Sequence, residues 1–161
     1  MNAIRLTMMA LATTSMMACG GGGGASSPEG AAKALVAGIA AMDAGAIRAA
    51  YPSKEVIDSA MDCKAGEGPW DKIERELGKL DKELVEMKEE GLKFAYKSFE
   101  LKGEPKVAVA GTEENGCKFK SDVIVQRAKI MMAVTKGDET RDDGEGVKMI
   151  KLADKWYILD M

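Results

Sequence analysis

Three cysteines carry most of the chemistry that this sequence of 161 residues offers. Cys19, Cys63 and Cys117 each bear a thiol, which can be acylated, oxidised to a disulfide or bound to a metal ion. The chain has no histidine, so the commonest general base and the commonest neutral metal ligand are both missing. The role of each cysteine must therefore be inferred from its neighbours in the chain.

The segment before Cys19 has the pattern of a secretory signal peptide. Arg5 precedes about a dozen mostly apolar residues, LTMMALATTSMMA, with small residues near the end. This stretch is shorter than the roughly 20 apolar residues that a membrane-spanning helix needs. We therefore expect residues 1–18 to be removed during export.

The residues Met16-Met17-Ala18-Cys19 resemble the lipobox of bacterial lipoproteins, in which Leu, a small residue and Gly or Ala precede the Cys. Ala18 and Cys19 match, Met16 is an apolar replacement for Leu, and Met17 is larger than the usual residue. The resemblance implies a diacylglycerol on the Cys19 thiol, cleavage before Cys19 and acylation of the new amine. Its partners would be the bilayer and the lipoprotein processing and sorting machinery, and Gly20 resembles an outer-membrane sorting signal. The alternative is an ordinary signal peptide with an incidental Cys19.

The lipobox divides the chain into three parts. Residues 1–18 form the signal peptide, residues 19–27 form the lipidated cysteine with a glycine-rich tether, and residues 28–161 form one domain. Two or three acyl chains anchor a protein stably, and a glycine-rich segment is a flexible spacer. We expect the protein in the bacterial cell envelope, held at the outer membrane, on a face that the sequence does not specify.

Cys63 and Cys117 are the two cysteines that remain once Cys19 is lipidated. An even pair in an oxidising compartment predicts a disulfide. A reactive thiol or a metal ligand is the alternative, although two cysteines without a histidine make a poor zinc site.

No other cluster predicts a metal or cofactor. The acidic run GDETRDDGEG at 137–146 has no EF-hand spacing, so it predicts a solvated hairpin loop rather than a calcium site. Met131 and Met132 are adjacent in a predicted strand and would face opposite sides, which favours core packing over copper binding. Trp156 is expected to pack on a helix together with Ile158, although stacking on a ligand is the alternative.

The first part of the domain reads as helices. Ser27 is a predicted N-cap with Pro28 at the first helical position, a short helix follows at 46–51, and Ser53 caps a third helix. The spacing of apolar residues then predicts one long amphipathic helix over 69–90, and the residues on its apolar seam are Trp70, Ile73, Leu77, Leu80, Leu84 and Met87. This seam favours a helix lying across a sheet, with a coiled-coil surface as the alternative.

The second part reads as strands. Segments at 93–101 and 106–111 flank a predicted turn at Gly-Glu-Pro, and 117–134 is long enough for one bent strand or two. Two final strands meet at a predicted hairpin turn, Ala153-Asp154. Helices followed by strands predict an α+β domain, with N-terminal helices packed on a curved antiparallel sheet of about four to six strands.

The order of elements carries a second resemblance. The opening SPEGAAKALVAGIAAMDAGAIRAAYP and the closing LADKWYILD are similar to those of the nuclear-transport-factor-two-like superfamily, which has a cystatin-like, cone-shaped α+β fold. That resemblance implies an open-ended cone that can hold a small molecule. Some members are isomerase-like or dehydratase-like enzymes that use Asp, His or Tyr. Tyr51, Tyr96 and Tyr157 have the right type, but none aligns with a catalytic position.

Three functions remain open at this point. The first is a non-catalytic binding or interaction domain, whose partner would be an envelope protein or a small apolar ligand. The second is a small enzyme that uses an Asp or Tyr in the cone, and the third is a helix-mediated oligomer formed through residues 70–87. The net charge of −3 and the lack of a basic patch with interleaved aromatic residues argue against nucleic-acid binding.

Overall fold

The protein has the expected α+β fold, in which helices pack against an antiparallel sheet. The structure is a computed structural model that describes residues 23–161. Within that range no helix is long and apolar enough to cross a bilayer. The helices are α1 (Pro28–Ala40), α2 (Ala44–Ala49), α3 (Lys54–Ala60), α4 (Pro69–Leu77) and α5 (Leu80–Glu89). The strands are β1 (Met61–Cys63), β2 (Leu92–Ala108), β3 (Glu113–Glu114), β4 (Cys117–Phe119), β5 (Val123–Lys136), β6 (Glu139–Leu152) and β7 (Lys155–Asp160).

Polar N-caps set the starts of the first three helices. The Ser27 hydroxyl accepts a hydrogen bond from Gly30 N at 3.1 Å, as the sequence predicted. The Asp43 carboxylate and the Ser53 hydroxyl accept the corresponding bonds at the starts of α2 and α3. Each cap satisfies a backbone amide that has no partner within its helix.

The main sheet has the strand order β2-β5-β6-β7 and carries apolar side chains on both faces. Successive residues of a strand point to opposite faces. One face, with Ile130 and Met149, packs against α1, α2 and α5. The other face, with Val123 and Ile150, packs against α3, α4 and the small sheet β1-β4-β3. Trp156 and Ile158 both pack in the first core, as predicted.

The single long helix predicted over 69–90 is wrong, because the chain breaks into α4 and α5 at Gly78 and Lys79. Glycine is a poor helix former, and the break lets the apolar seam serve both cores. Ile73 of α4 packs in the second core, Leu84 of α5 packs in the first, and Leu77 between them contacts both. The apolar seam therefore packs within this chain, as the favoured interpretation of helix-on-sheet packing predicted, rather than forming the alternative coiled-coil surface.

Two predicted loops are instead parts of long strands. The Gly-Glu-Pro turn at 103–105 is a bulge inside β2, where three residues stand opposite Gln126 alone. The acidic run at 137–146 turns only at Gly137 and Asp138, and the rest of it belongs to β6. The segment at 117–134 divides into β4 and β5, and the predicted hairpin turn at Ala153-Asp154 is confirmed.

The last part of the predicted tether belongs to the folded domain. Ala25 exchanges two backbone hydrogen bonds with Trp156, at 2.9 and 2.7 Å, and Gly24 N donates to Ala49 O at 3.1 Å. Gly24 has a φ of +90°, and a Cβ atom there would lie 2.6 Å from the Tyr157 ring. The predicted tether over 19–27 is therefore too long at its carboxyl end, and residues 1–22 lie outside the described part of the chain.

Candidate functional site

The predicted disulfide links Cys63 of β1 to Cys117 of β4. The two residues are directly opposite each other in the small sheet, with their Cα atoms 3.9 Å apart and the sulfur atoms bonded. The neighbouring Lys64 N donates to Gly116 O at 3.0 Å, so the cysteines occupy a pair without hydrogen bonds between them, where side chains approach most closely. The bond joins the strand that follows α3 to the strand that precedes β5.

A cleft of about 740 Å³ lies beside this disulfide. Its walls are the small sheet, the first turns of α4 and the bulged part of β2, and its base is the exposed part of the second face of the main sheet. Pockets of about 300–1,000 Å³ are typical of small-molecule sites. Since α4 and the small sheet cover only part of this face of the main sheet, the cleft lies where that cover ends.

The base of the cleft has an apolar floor formed by Val125, Ile150 and Leu159. Lys106, Val125 and Ile150 are in register on three adjacent strands, so their side chains share the cleft face. Ile150 is buried and Val125 is half-buried, which leaves part of the floor open to the cleft.

Next to this floor is a cationic row formed by Lys102, Arg127 and Lys148. Register pairs Lys102 with Arg127 and Arg127 with Lys148, so the row crosses β2, β5 and β6. The row also borders a shallower basin of about 450 Å³ around Gly146, where a Cβ atom would meet nothing within 4 Å. Lys102 pairs with Glu100 at 2.6 Å, whereas Arg127 and Lys148 have no ion-pair partner among residues 23–161.

Gln126 holds the bulge that brings Lys102 and Lys106 to the cleft. It is the one buried polar side chain of the described chain, with 4% of its surface exposed. Its amide nitrogen lies 3.1, 3.2 and 2.8 Å from the carbonyl oxygens of Lys102, Gly103 and Arg127. The bulge adds two residues to β2, and an even number keeps Lys102 and Lys106 on the same face.

Five carboxylates also border the cleft. Asp160 pairs with Lys72 of α4, and Glu104 lies in the bulge. The other three, Glu67, Asp71 and Glu114, lie in or beside the small sheet at the disulfide side of the cleft. Three of the five carboxylates thus lie near the disulfide, whereas Asp160 and Glu104 lie on the main sheet with the cationic row.

The three tyrosines considered as acid–base groups do not line the cleft. Burial, with smaller effects from Glu76, Asp160 and Glu83, raises the pKa of the Tyr51 hydroxyl to about 12. Burial and the hydrogen bond to Glu29 raise the pKa of Tyr96 to about 12, and burial also raises the pKa of Tyr157. Phenols with raised pKa values stay protonated at neutral pH, so they donate hydrogen bonds rather than accept protons.

The acidic run at 137–146 and the paired methionines, which the sequence offered as metal-site candidates, have structural roles. Asp142 of the acidic run pairs with Lys97 at 2.7 Å, and among residues 23–161 no group of three or more acidic or cysteine side chains is placed to hold a metal ion. Met132 packs in the first core. Cys19 lies outside the described residues, so its lipidation stays a prediction.

The cleft was not identified from the sequence, because its parts lie far apart along the chain. The comparisons with known proteins add no assignment: no family model matches the chain, and no curated protein or solved structure matches it.

Proposed function

We propose that the chain is a lipoprotein whose single domain binds a small molecule without chemical turnover. The observation that carries this proposal is the cleft of about 740 Å³ with its apolar floor of Val125, Ile150 and Leu159. Partly exposed apolar side chains in a concave site gain free energy when a ligand excludes water from them. A binding site of this kind needs no catalytic group.

The proposed anchor is Cys19. The lipobox-like residues Met16 to Cys19 and the following glycines support lipidation, and Gly20 supports transfer to the outer membrane. The fold begins within a few residues of the anchor, since Gly24 and Ala25 already contact the domain. The domain would therefore be held close to the bilayer surface, with the short segment 19–23 as its tether.

The proposed relationship to the nuclear-transport-factor-two-like superfamily rests on the order of elements. The chain opens with α1 and α2, and after three further helices the main antiparallel sheet ends in a hairpin around Ala153-Asp154. The superfamily's cone-shaped fold supports a pocket formed between a sheet and helices. The proposal does not include the catalysis of some superfamily members. The tyrosines of this chain lie away from the cleft, and the two aspartates that border it lie on different elements, α4 and β7, with Asp160 paired to Lys72.

The binding function is tested with an uncharged apolar dye, N-phenyl-1-naphthylamine, and the full chain carrying Cys19→Ser, so that detergent is unnecessary. We expect saturable fluorescence enhancement with one site per chain. Val125→Phe fills the floor and should abolish the enhancement. Val85→Phe is the matched control, since Val85 is 55% exposed on α5 away from the cleft. Equal enhancement in all three proteins would refute binding in the cleft.

The anchor is tested by labelling cells with radioactive palmitate. We expect the wild-type protein to incorporate the label and the Cys19→Ser protein to incorporate none. A variant with Cys63→Ser and Cys117→Ser is the matched control, because it removes two thiols without removing the acylation site. Incorporation of palmitate by Cys19→Ser, or none by the wild-type protein, would contradict the proposed anchor.

A further inference from the structure

The cleft places unpaired cations beside an apolar floor, and this combination selects the chemical class of its ligand. The inference rests on the proposed binding function and specifies what is bound. Arg127 and Lys148 are directly opposite each other on adjacent strands, and neither has an ion-pair partner among residues 23–161. Like charges in this arrangement destabilise a sheet. A bound anion would relieve the repulsion between them.

Further cations strengthen the attraction for an anion. Arg75 of α4 and Lys106 of β2 also line the cleft, and the described chain offers neither of them an ion pair. Lys102 adds its charge at the end of the row, although it pairs with Glu100. Glu67, Asp71 and Glu114 lie at the disulfide side, away from the row. Asp160 stands opposite Lys148 but pairs with Lys72, so it offsets the charge of the row only in part.

The apolar floor excludes a purely inorganic anion as the best ligand. Val125 and Arg127 are two residues apart on β5, so their side chains share a face and stand roughly 7 Å apart. A head group at Arg127 would therefore have its first hydrocarbon segment over Val125. A neutral lipid would leave Arg127 and Lys148 without a counter-charge. An inorganic anion would leave the apolar side chains of the floor exposed to water.

We infer that the cleft binds a single-chain anionic amphiphile. Its carboxylate or phosphate head lies at Arg127 and Lys148, beside the open basin at Gly146, and its hydrocarbon chain covers Val125 and Ile150. The basin of about 450 Å³ gives the head group room, since Gly146 has no side chain. The cleft volume suits one small molecule of this kind.

The test uses titration calorimetry on the full chain carrying Cys19→Ser. The probes are oleate, oleoyl lysophosphatidate and monoolein, each below its critical micelle concentration. All three have the same hydrocarbon chain, and only monoolein lacks a charge. We expect one site per chain for an anionic probe, with at least about tenfold weaker binding of monoolein. The tighter of the two anionic probes identifies a carboxylate or a phosphate as the preferred head group.

Substitutions locate the head group. The double variant Arg127→Gln, Lys148→Gln should weaken binding of the anionic probe by about tenfold or more and leave monoolein unchanged. Lys93→Gln is the matched control, because Lys93 lies on the same sheet face at the far end, opposite Thr135. Thermal unfolding checks that each variant folds, and Lys148→Gln alone gives the same comparison if the double variant does not.

The outcomes separate this inference from the binding function. Monoolein that binds as tightly as oleate, with no effect of the double substitution, would overturn the anionic head group and leave a neutral binding site. Absence of binding by all three amphiphiles, together with a negative result for the uncharged dye, would overturn both proposals.

Discussion

The ammonium group of Lys72 pairs with the carboxylate of Asp160, and this contact joins α4 to the last strand of the main sheet. Asp160 also stands opposite Lys148 on the neighbouring strand. One carboxylate thus neutralises a cation of α4 and lies at the end of the cationic row. It lowers the positive potential that an anionic ligand would meet in the cleft.

Removal of that carboxylate should strengthen ligand binding. We expect Asp160→Asn to raise the affinity for oleate by about threefold to tenfold, because it frees Lys72 and removes a negative charge beside Lys148. The free energy of unfolding should fall by less than about 1 kcal/mol, since the pair is exposed to solvent. Calorimetric titration and urea unfolding measure the two effects.

Asp81→Asn is the control for this substitution. Asp81 pairs with Arg48 at 2.8 Å between α5 and α2, away from the cleft. It should match Asp160→Asn in its small effect on unfolding but leave oleate affinity unchanged. Equal or weaker oleate binding by Asp160→Asn would contradict the electrostatic account of the cleft.

The disulfide should be a major source of stability. Cys63 and Cys117 are separated by 54 residues, and a loop of this length corresponds to about 4 kcal/mol in the loop-entropy model. We expect the double variant Cys63→Ala, Cys117→Ala to unfold at a lower urea concentration, with a free energy of unfolding reduced by about 2–4 kcal/mol.

A reductant distinguishes the cross-link from the loss of two buried side chains. Reduction should destabilise the wild-type protein to nearly the level of the double variant, and it should have no effect on the variant itself. If the reductant does not change the urea midpoint of the wild-type protein, the cysteines contribute to stability as free thiols.

Gly24 should be required for docking of the chain before α1. Its φ of +90° favours glycine, and a Cβ atom there would clash with the Tyr157 ring. We expect Gly24→Ala to lower the free energy of unfolding by about 1–3 kcal/mol, as measured by urea unfolding.

Gly111→Ala is a matched control for the free-energy cost of a non-glycine residue at positive φ. Gly111 has a φ of +86°, and a Cβ atom there would meet nothing within 4 Å. Both substitutions carry the cost of a left-handed backbone, so the additional loss at Gly24 reports the contact with Tyr157. Equal losses at the two positions would show that residue 24 does not pack on the ring.

Tyr51 should make the protein less stable in alkali. Its pKa is raised to about 12 in the folded state, mainly by burial, from an ordinary value near 10. Below pH 10 the phenol is neutral in both states, and above it the unfolded chain loses the proton first. The free energy of unfolding should therefore fall between pH 10 and 12, by about 2 kcal/mol from this group.

Tyr51→Phe removes this titration. We expect its unfolding free energy to depend less steeply on pH between 10 and 12 than that of the wild-type protein, as measured by urea unfolding at fixed ionic strength. Identical pH dependence in the two proteins would place the cause in other groups, such as Tyr96.

Local signals in the sequence were enough for the helix starts and the fold class. Ser27 and Ser53 are N-caps whose effect is limited to the next few residues, and the final hairpin turns at two adjacent residues, Ala153 and Asp154. Such features need no knowledge of distant contacts. The alternation of apolar residues in the second half was likewise enough to predict an antiparallel sheet.

Breaks and bulges depended on distant contacts instead. The apolar spacing continues across Gly78 without interruption, whereas in the fold α4 and α5 pack in different cores on the two faces of the sheet. The Gly-Glu-Pro segment has turn composition, yet Gln126 holds it as a bulge in β2. Neither contact can be read from residues nearby in the chain.

The cleft could be recognised only from the register of the strands. Lys102, Arg127 and Lys148 come from three strands, and each is an ordinary exposed charge in its own segment. A shift of one residue in either pairing would place one of them on the opposite face. The cationic row therefore became visible only when the pairing of β2, β5 and β6 was known.

Intact-mass spectrometry of the membrane-extracted protein shows whether this binding domain is anchored to a membrane through Cys19. We predict a chain that begins at Cys19 and carries the added mass of two or three acyl chains. After reduction it should gain the mass of two hydrogen atoms, from the bond between Cys63 and Cys117. An unacylated chain that begins elsewhere would contradict the account.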